Sequence, residues 1–168
     1  MNPLTGRWVT IVADRAERPT DFAPRKAQVE AHPDRPCPFC PGNEEATPPA
    51  LESLDAGGKW RMRVVPNLYP AFDGSEPFAV HYLGPVHVEA EASGIHEVFV
   101  FTPVHDASTH FVTDEDAGDM MLMLQRRLLE HGATGNIRYT QAIINHGREA
   151  GASLAHPHGQ LLGLPFVP

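Results

Sequence analysis

The sequence predicts an α+β domain with a largely antiparallel sheet and one long helix. Three observations support this fold class. Predicted strands outnumber predicted helices, a single stretch keeps helical spacing of its apolar residues over several turns, and neighbouring elements are joined by short or irregular links. A length of 168 residues suits one domain, and 42% hydrophobic with 20% charged residues is the composition of an ordinary globular protein.

Six segments favour strands, because they are rich in β-branched and aromatic residues or alternate apolar with polar residues. They are residues 8–13, 61–65, 78–83, 95–102, 137–145 and 160–164. The first segment ends at a charged turn, and the second ends at Pro66, which cannot donate to a strand ladder. A glycine-containing loop is predicted between the last two strands, over residues 147–157.

The long helix is predicted to begin at Thr113, where three acidic residues follow in sequence. Acidic side chains in the first turn are favoured by the helix dipole. The apolar residues that follow keep roughly helical spacing and are Met120, Met121, Leu124, Leu128 and Leu129. We expect this helix to stop near Gly132.

Prolines are dense between residues 19 and 49, which predicts an irregular loop held by something other than regular hydrogen bonding. The only two cysteines, Cys37 and Cys40, lie in this loop. Their spacing suits a metal site or a redox pair better than a structural disulfide in a reducing compartment. Two cysteines supply only half of a tetrahedral zinc site, so the spacing by itself leaves both readings open.

Charge and hydropathy exclude several classes of partner. The formal net charge is -8 at pH 7 and no block of Lys and Arg occurs, so we expect no nucleic-acid partner. No apolar run approaches the roughly 18 residues that a membrane span requires. Residues 1–6 contain neither the basic region nor the apolar run of a signal peptide. We therefore expect a cytoplasmic protein with no membrane partner.

The densest chemical signal is the segment 153–160, which reads Ser-Leu-Ala-His-Pro-His-Gly-Gln. Pro157 fixes one backbone torsion between His156 and His158, and we expect the two imidazoles to point to opposite faces and to have separate roles. Gly159, together with Gly147 and Gly151, would allow the close backbone approach that a phosphate bound by main-chain amides requires. The alternative is a polar surface loop with two ordinary histidines.

Four further segments accompany this one in a fixed order along the chain. They are residues 2–8 (Asn-Pro-Leu-Thr-Gly-Arg-Trp), 15–19 (Arg-Ala-Glu-Arg-Pro), 37–43 (Cys-Pro-Phe-Cys-Pro-Gly-Asn) and 65–71 (Val-Pro-Asn-Leu-Tyr-Pro-Ala). With the histidine segment they resemble the motifs of the galactose-1-phosphate uridylyltransferase family, a branch of the histidine-triad superfamily. The resemblance spans nearly the whole chain and implies a histidine-triad-like fold.

The resemblance implies a covalent mechanism. The residue that matches the family's nucleophile is His158, which would attack the α-phosphorus of UDP-glucose and give a uridylyl-histidine. Gln160 and Ser153 can donate hydrogen bonds to the phosphoryl oxygens, where charge is stabilised in the transition state. The residues expected to bind the substrate are Arg15, Arg18, Phe39, Asn67, Asn145 and Gly151. The acceptor would be galactose 1-phosphate or another hexose 1-phosphate.

The resemblance also implies a structural zinc site. The family places ligands at the positions of Cys37, Cys40, His105 and His156, which would form a closed Cys2His2 set. Such a site would fix the proline-rich loop beside the nucleophile. A redox pair and a metal-free site remain the alternatives. The other histidines, including His96 and His146, are interpreted as surface residues or as core residues with satisfied hydrogen bonds.

Two departures from the family pattern leave alternatives open. Leu68 follows Asn67 where many uridylyltransferases have aspartate, so adenylyl transfer, as in ADP-glucose phosphate adenylyltransferases, is an alternative to uridylyl transfer. Family members are also considerably longer, and their second half builds much of the sugar-phosphate pocket. We expect a homodimer or association with such a second half. A histidine-triad nucleotide hydrolase and a zinc-stabilised nucleotide-binding module without turnover are the remaining alternatives.

Overall fold

The computed structural model describes residues 1–12, 36–107, 113–145, 150, 152 and 154–168. These residues form a five-stranded antiparallel sheet, a separate two-stranded hairpin and one long α-helix. The strands are β1 (Glu52–Ala56), β2 (Lys59–Pro66), β3 (Val80–Leu83), β4 (His87–Ala90), β5 (Ile95–Val100), β6 (Tyr139–Ile144) and β7 (His158–Leu164), and the helix is α1 (Asp114–Ala133). The sheet has the order β1-β2-β5-β7-β6, and β3 pairs with β4. The predicted α+β class with a largely antiparallel sheet is confirmed.

The large sheet carries a different layer on each of its faces. On one face Met62, Val64 and Phe99 pack with Met123 of α1, and we call this the helix face. On the other face Val65, Val98 and Val100 pack with Phe39 of the cysteine segment, and we call this the cysteine face. Successive residues of a strand point to opposite faces. Strands β2 and β5 therefore contribute alternately to the core under the helix and to the layer around the cysteines.

Helix α1 begins where the sequence predicts. The hydroxyl oxygen of Thr113 accepts a hydrogen bond from the backbone N–H of Asp116 at 3.1 Å, which satisfies one of the first amide groups of the helix. Met123 is completely buried against the sheet. Arg61 of β2 reaches the first turns of the helix, with its Nη2 at 2.5 Å from Asp116 Oδ1. The cap, the buried methionine and the ion pair fix the helix to its face of the sheet.

The predicted strand at residues 8–13 is wrong for residues 8–12, which form no strand, and residue 13 lies outside the described residues. Val9 and Ile11 are exposed there, whereas the Trp8 ring packs with Phe78 at 5.4 Å and Phe166 at 6.0 Å between centroids. The β-branched residues favour an extended chain, but they pair with no strand among the described residues. The segment is held to the domain by one aromatic side chain instead.

The other predicted strands are present with shifted ends. The segment predicted over 160–164 is β7, which already begins at His158, and the segment predicted over 137–145 is the shorter β6. Strands β1 and β4 were not predicted. The sequence does carry a signal for β1, the Gly57-Gly58 pair, which is typical of a two-residue hairpin turn. In the structure both glycines have the positive φ that such a turn requires, 59° and 76°. None of the helices in the described part of the chain combines the length and apolar character that a membrane crossing requires.

Candidate functional site

Four potential metal ligands meet on the cysteine face. One ligand atom from each of Cys37, Cys40, His105 and His156 lies within 4.8 Å of all the others. The Nδ1 atom of His156 is 3.8 Å from the sulfur of Cys37 and 3.6 Å from that of Cys40, and Nδ1 of His105 is 3.3 Å from Cys40. The structure therefore brings together the whole set that the sequence analysis expected. This arrangement could bind a metal ion.

The cysteine segment is folded by turns rather than by regular structure, as its proline content predicts. The backbone N–H of Cys40 donates to the carbonyl of Cys37 at 3.2 Å, which brings both thiols to one side of the turn. The side-chain amide of Asn43 also donates to the Cys37 carbonyl, at 2.9 Å. Both thiols are free, with no disulfide between them. Local hydrogen bonds thus help to place the two sulfurs near each other.

Burial shifts the pKa of two groups in this cluster. Burial, and to a smaller extent the neighbouring Cys40, raise the pKa of the Cys37 thiol to about 11. Burial also lowers the pKa of His156, despite the hydrogen bond from its Nε2 to the carbonyl oxygen of Thr102 at 2.8 Å, which favours the charged form. Because Nε2 of His156 donates to that carbonyl, the lone pair of the neutral ring is on Nδ1, facing both sulfurs.

Arg63 was not among the predicted site residues, but it supports the cysteine segment. Its side chain is almost fully buried on the cysteine face, and Nη2 donates to the carbonyl of Pro38 at 3.0 Å while Nη1 donates to the hydroxyl of Thr47 at 3.2 Å. The guanidinium also lies 4.9 Å above the Trp60 ring, and burial lowers its pKa. A signal was available in the sequence, since Arg63 is a charged residue between the apolar Met62 and Val64 of a predicted strand.

His158 is the first residue of β7 and pairs with Val100 of β5. Its ring is buried at 5.2 Å from the Phe39 ring, and its Nδ1 lies 2.8 Å from the carbonyl oxygen of His156. The expectation that His156 and His158 point to opposite faces is wrong, because both rings pack against Phe39. His156 lies in a bend before the strand, where the alternation of side chains does not apply. The two rings nevertheless have different partners.

A second group of side chains on the cysteine face is centred on His96 of β5. Its Nε2 lies 2.9 Å from Oε1 of Gln160 and 3.0 Å from Nδ2 of Asn67, and its Nδ1 accepts from the backbone N–H of Ala71 at 2.8 Å. His96 is buried, so of the two interpretations left open for it, surface residue or core residue with satisfied hydrogen bonds, it is the core residue. The sequence analysis did not predict that it contacts two of the candidate site residues, Gln160 and Asn67.

Gly159 does allow a close backbone approach, but to protein atoms. A Cβ atom at this position would lie 3.1 Å from the carbonyl oxygen of Ile143 and 3.1 Å from the ring of Phe101. Phe101 belongs to the core cluster of the helix face, so Gly159 faces away from the cysteines. The glycine lets Phe101 and strand β6 approach β7 closely beside His158, rather than opening space for a phosphate.

The remaining candidate residues are placed as follows. Asn145 directly follows β6, whose last residue Ile144 pairs with Gly159, so Asn145 lies at the same end of the sheet as His158. The residues that lie outside the described ranges are Arg15, Arg18, Gly151 and Ser153, together with His146 and Gly147.

The amino-acid sequence resembles several proteins of known activity. ADP-glucose phosphorylase of Arabidopsis thaliana is 33% identical over 99% of this chain and 48% of its own length. Galactose-1-phosphate uridylyltransferase of Thermotoga maritima is 29% identical over 99% of this chain and 46% of its own length. The chain thus spans about half the length of the curated relatives it matches.

Solved structures and a family model agree with these relatives. The crystal structure of the Arabidopsis thaliana ADP-glucose phosphorylase with bound ADP-glucose has a TM-score of 0.67 and 31% identity, covering 99% of this chain and 48% of that one. A structure of uridylyltransferase has a TM-score of 0.63 and 28% identity, covering 83% of this chain and 41% of that one. The family model described as "Galactose-1-phosphate uridyl transferase, N-terminal domain" matches residues 1–168. The chain belongs to the galactose-1-phosphate uridyl transferase family.

Proposed function

We propose that residues 1–168 form the N-terminal, catalytic domain of a nucleotidyltransferase in which His158 carries a nucleoside monophosphate. The observation that carries the proposal is the contact between Nδ1 of His158 and the carbonyl oxygen of His156, 2.8 Å apart. A carbonyl oxygen only accepts, so the proton of the neutral ring is on Nδ1 and the lone pair is on Nε2. A neutral imidazole nitrogen held in one tautomer is a competent nucleophile near neutral pH.

The reaction takes place in two displacements. Nε2 of His158 attacks the α-phosphorus of a nucleotide sugar, forming a P–N bond while the P–O bond to the hexose 1-phosphate breaks and its electron pair stays on the leaving phosphate. A second hexose 1-phosphate then attacks the same phosphorus through a phosphate oxygen, and the P–N bond breaks, returning the electron pair to Nε2. Two in-line displacements give net retention at phosphorus and ping-pong kinetics.

The other candidate residues would bind and orient the nucleotide. Gln160 follows His158 by two residues in β7 and so lies on the same face, where its amide would donate to a phosphoryl oxygen. Phe39, Asn67 and Asn145 would contact the nucleoside. From the resemblance alone, Ser153 and Gly151 would bind the phosphates, and Arg15 with Arg18 would neutralise their charge.

We propose zinc as the ion of the Cys2His2 cluster. Tetrahedral zinc holds sulfur at about 2.3 Å and nitrogen at about 2.0–2.1 Å, which separates the two ligand atoms by roughly 3.5 Å. The sulfur-to-nitrogen distances of 3.3, 3.6 and 3.8 Å fit this value. Zinc would hold the turn at Cys37 and Cys40 onto the bend at His156. A reducing, cytoplasmic compartment would keep both thiols available to the ion.

The nucleotide is proposed to be UMP, taken from UDP-glucose and passed to galactose 1-phosphate. A second candidate is an adenylyl group taken from ADP-glucose. The observation that favours this second candidate is Leu68, which follows Asn67, is 58% exposed and offers no acceptor to a ribose or a base. The hexose-phosphate pocket would be completed by a second half of the protein or by a second copy in a homodimer, because the matched relatives are about twice as long.

A labelling experiment tests the proposal. Wild-type chain is incubated in parallel with UDP-glucose and ADP-glucose carrying label in the α-phosphate, and label retained on the denatured protein is measured. We expect acid-labile label on His158, while its release as labelled nucleotide sugar by galactose 1-phosphate is expected only where a second half of the protein completes the acceptor pocket. The matched control is His158→Gly, which should retain none. Label that persists in that variant, or none with either donor, would overturn the covalent mechanism, and the preferred donor decides between the two nucleotides.

A further inference from the structure

We infer that His96 is a positioning residue that fixes the amide of Gln160 with its oxygen towards the core and its NH2 group available to the substrate. The inference rests on the proposed function, because Gln160 is there assigned a donor role at the phosphoryl group. His96 is a buried residue of β5, 62 positions before His158 in the sequence. Three contacts around its imidazole ring support the inference.

The first contact sets the tautomer of His96. The backbone N–H of Ala71 donates to Nδ1 at 2.8 Å. A backbone N–H can only donate, so Nδ1 of His96 must be unprotonated. A neutral imidazole then carries its proton on Nε2. The segment that contains Ala71 thus determines which ring nitrogen of His96 is a donor.

The second contact fixes the orientation of the Gln160 amide. Nε2 of His96 lies 2.9 Å from Oε1 of Gln160, so an N–H group faces a carbonyl oxygen. The reverse orientation of the amide would place its NH2 group against the N–H of His96, two donors at hydrogen-bonding distance. The oxygen of Gln160 is therefore held at His96. The NH2 group is on the other branch of the amide, and Gln160 lies on the same face of β7 as His158.

The third contact, with Asn67, removes a competing acceptor. Oδ1 of Asn67 accepts from the backbone N–H of Tyr69 at 2.9 Å, which turns its Nδ2 towards His96 at 3.0 Å. An amide nitrogen does not accept a hydrogen bond, so the 3.0 Å approach of Asn67 Nδ2 to protonated Nε2 of His96 is a close contact between two donors and not a hydrogen bond, and Gln160 Oε1 is the acceptor for that proton. Two backbone amides of one segment, those of Tyr69 and Ala71, thereby orient a side chain on the strand of the nucleophile.

A purely structural role for His96 predicts different behaviour. His96 also ties the segment 67–71 to the sheet, since the backbone N–H of Asn67 donates to the His96 carbonyl at 2.8 Å. Two substitutions separate the roles. In His96→Asn the side-chain oxygen replaces Nδ1 and keeps the acceptor for Ala71, but nothing reaches Gln160. In His96→Gln the side-chain nitrogen replaces Nε2 and keeps the donor to Gln160.

The decisive experiment measures single-turnover formation of the labelled His158 intermediate together with the affinity for the donor sugar nucleotide. We expect His96→Asn to slow labelling by about 10- to 100-fold, the effect of a misplaced group at a reacting centre, with the donor Kd changed by less than about twofold. His96→Gln should recover most of the rate, and the exposed His81→Asn should leave it unchanged. In a Gln160→Ala background, His96→Asn should slow labelling no further. Equal losses in both His96 variants, or additive losses with Gln160→Ala, would overturn the inference.

A readout without turnover separates this inference from the proposed function. Long-range nitrogen–proton NMR correlations of the folded chain report the tautomer of His96, which we expect to carry its proton on Nε2. The side-chain amide signals of Gln160 should shift in His96→Asn and return towards wild type in His96→Gln. A proton on Nδ1 of His96 would overturn the inference even if labelling occurs. Absence of labelling in the wild type would count against the proposed function while leaving this measurement decisive for His96.

Discussion

Nδ1 of His158 lies 2.8 Å from the carbonyl oxygen of His156, the residue whose own ring faces the two cysteines. The ring of His156 thus belongs to the Cys–His cluster, while its backbone holds the neighbouring imidazole in one tautomer. A change at the cluster that moves the His156 backbone would also move the proton acceptor of His158. The predicted metal site and the predicted nucleophile are therefore coupled through a single residue.

We predict that the purified chain binds one zinc ion and that Cys37→Ser loses it. Metal binding and folding of the cysteine segment are coupled, because the ligands come from three separate stretches of chain. The loss should lower the free energy of unfolding by on the order of 3 kcal/mol, as for a ligand present at about 100 times its Kd. Elemental analysis and urea unfolding measure both effects, with exposed Ser53→Ala as the control. Freshly purified wild type without zinc would contradict the prediction.

We predict that His158→Gly and His156→Gly have different effects on labelling, zinc content and thermal stability. The first should abolish covalent labelling while zinc stays bound, because the ring of His158 is outside the four-residue cluster. His156→Gly should lose zinc as well and melt at a lower temperature than His158→Gly. Thermal unfolding, zinc content and label retention are measured for both proteins. Similar melting shifts and similar residual labelling would argue against the division of roles.

We predict that the ionised Glu97 side chain raises the free energy of unfolding of the domain and that this contribution is lost at acid pH. Burial raises the pKa of this carboxylate, but the contacts from His131 and Arg127 outweigh burial and hold it below 4.5. A lowered folded-state pKa contributes stability above pH 4.5, which is lost as the pH falls through the folded-state value. Glu97→Gln should cost about 1–3 kcal/mol at pH 7. Urea unfolding from pH 7 to pH 3 should show this difference shrinking, and a constant difference would refute the prediction.

We predict opposite effects for two glycine substitutions. Gly159→Ala places a Cβ 3.1 Å from both the Ile143 carbonyl and the Phe101 ring, and should destabilise the domain by about 1–3 kcal/mol. Gly118→Ala lies inside α1 with nothing within 4 Å of the new Cβ, and should stabilise by about 0.5–1 kcal/mol. Chemical unfolding of both proteins provides the comparison. A neutral Gly159→Ala would show that Phe101 and β6 can shift to make room for the new Cβ.

We predict that the 168-residue chain forms the His158 intermediate slowly and does not complete transfer to galactose 1-phosphate. The acceptor must be held in line with the phosphorus, and if a second half completes the hexose-phosphate pocket, as proposed above, its orientation is worth roughly several kcal/mol. Steady-state kinetics with UDP-glucose and galactose 1-phosphate measure the transfer, and nucleotide binding is measured separately as the control. Full ping-pong turnover by this chain would show that residues 1–168 suffice.

The sequence predicted best where a structure depends on neighbouring residues. The helix at Thr113 has its cap, its acidic first turn and its apolar spacing within one continuous stretch, and α1 forms there. The same local reasoning failed at Val9 and Ile11, because β-branched residues form a strand only where another strand pairs with them. Strand β1 was missed for the converse reason. Its pairing with β2 depends on the turn at Gly57 and Gly58 more than on its own composition.

The site was predictable to a different degree. The four members of the Cys–His cluster came from a family resemblance, since spacing alone identifies Cys37 and Cys40 but not His105 or His156. The contact of His96 with Gln160 depends on the register between β5 and β7, in which His96 pairs with Leu162. No local pattern encodes that register. His96 and Gln160 are 64 residues apart in the sequence, so their contact can be inferred only once the pairing of β5 with β7 is known.

The position of β7 in the sheet has a consequence for synthesis. Among the described strands β7 is the last in sequence, yet it lies between β5 and β6, which do not pair with each other. On the ribosome, β5 and β6 must wait with open hydrogen-bonding edges until residues 158–164 emerge. During that interval the nascent chain is most exposed to pairing with its neighbours, and chaperone protection matters most. Once β7 emerges, the strand that carries His158 covers the free edge of β5 and one edge of β6.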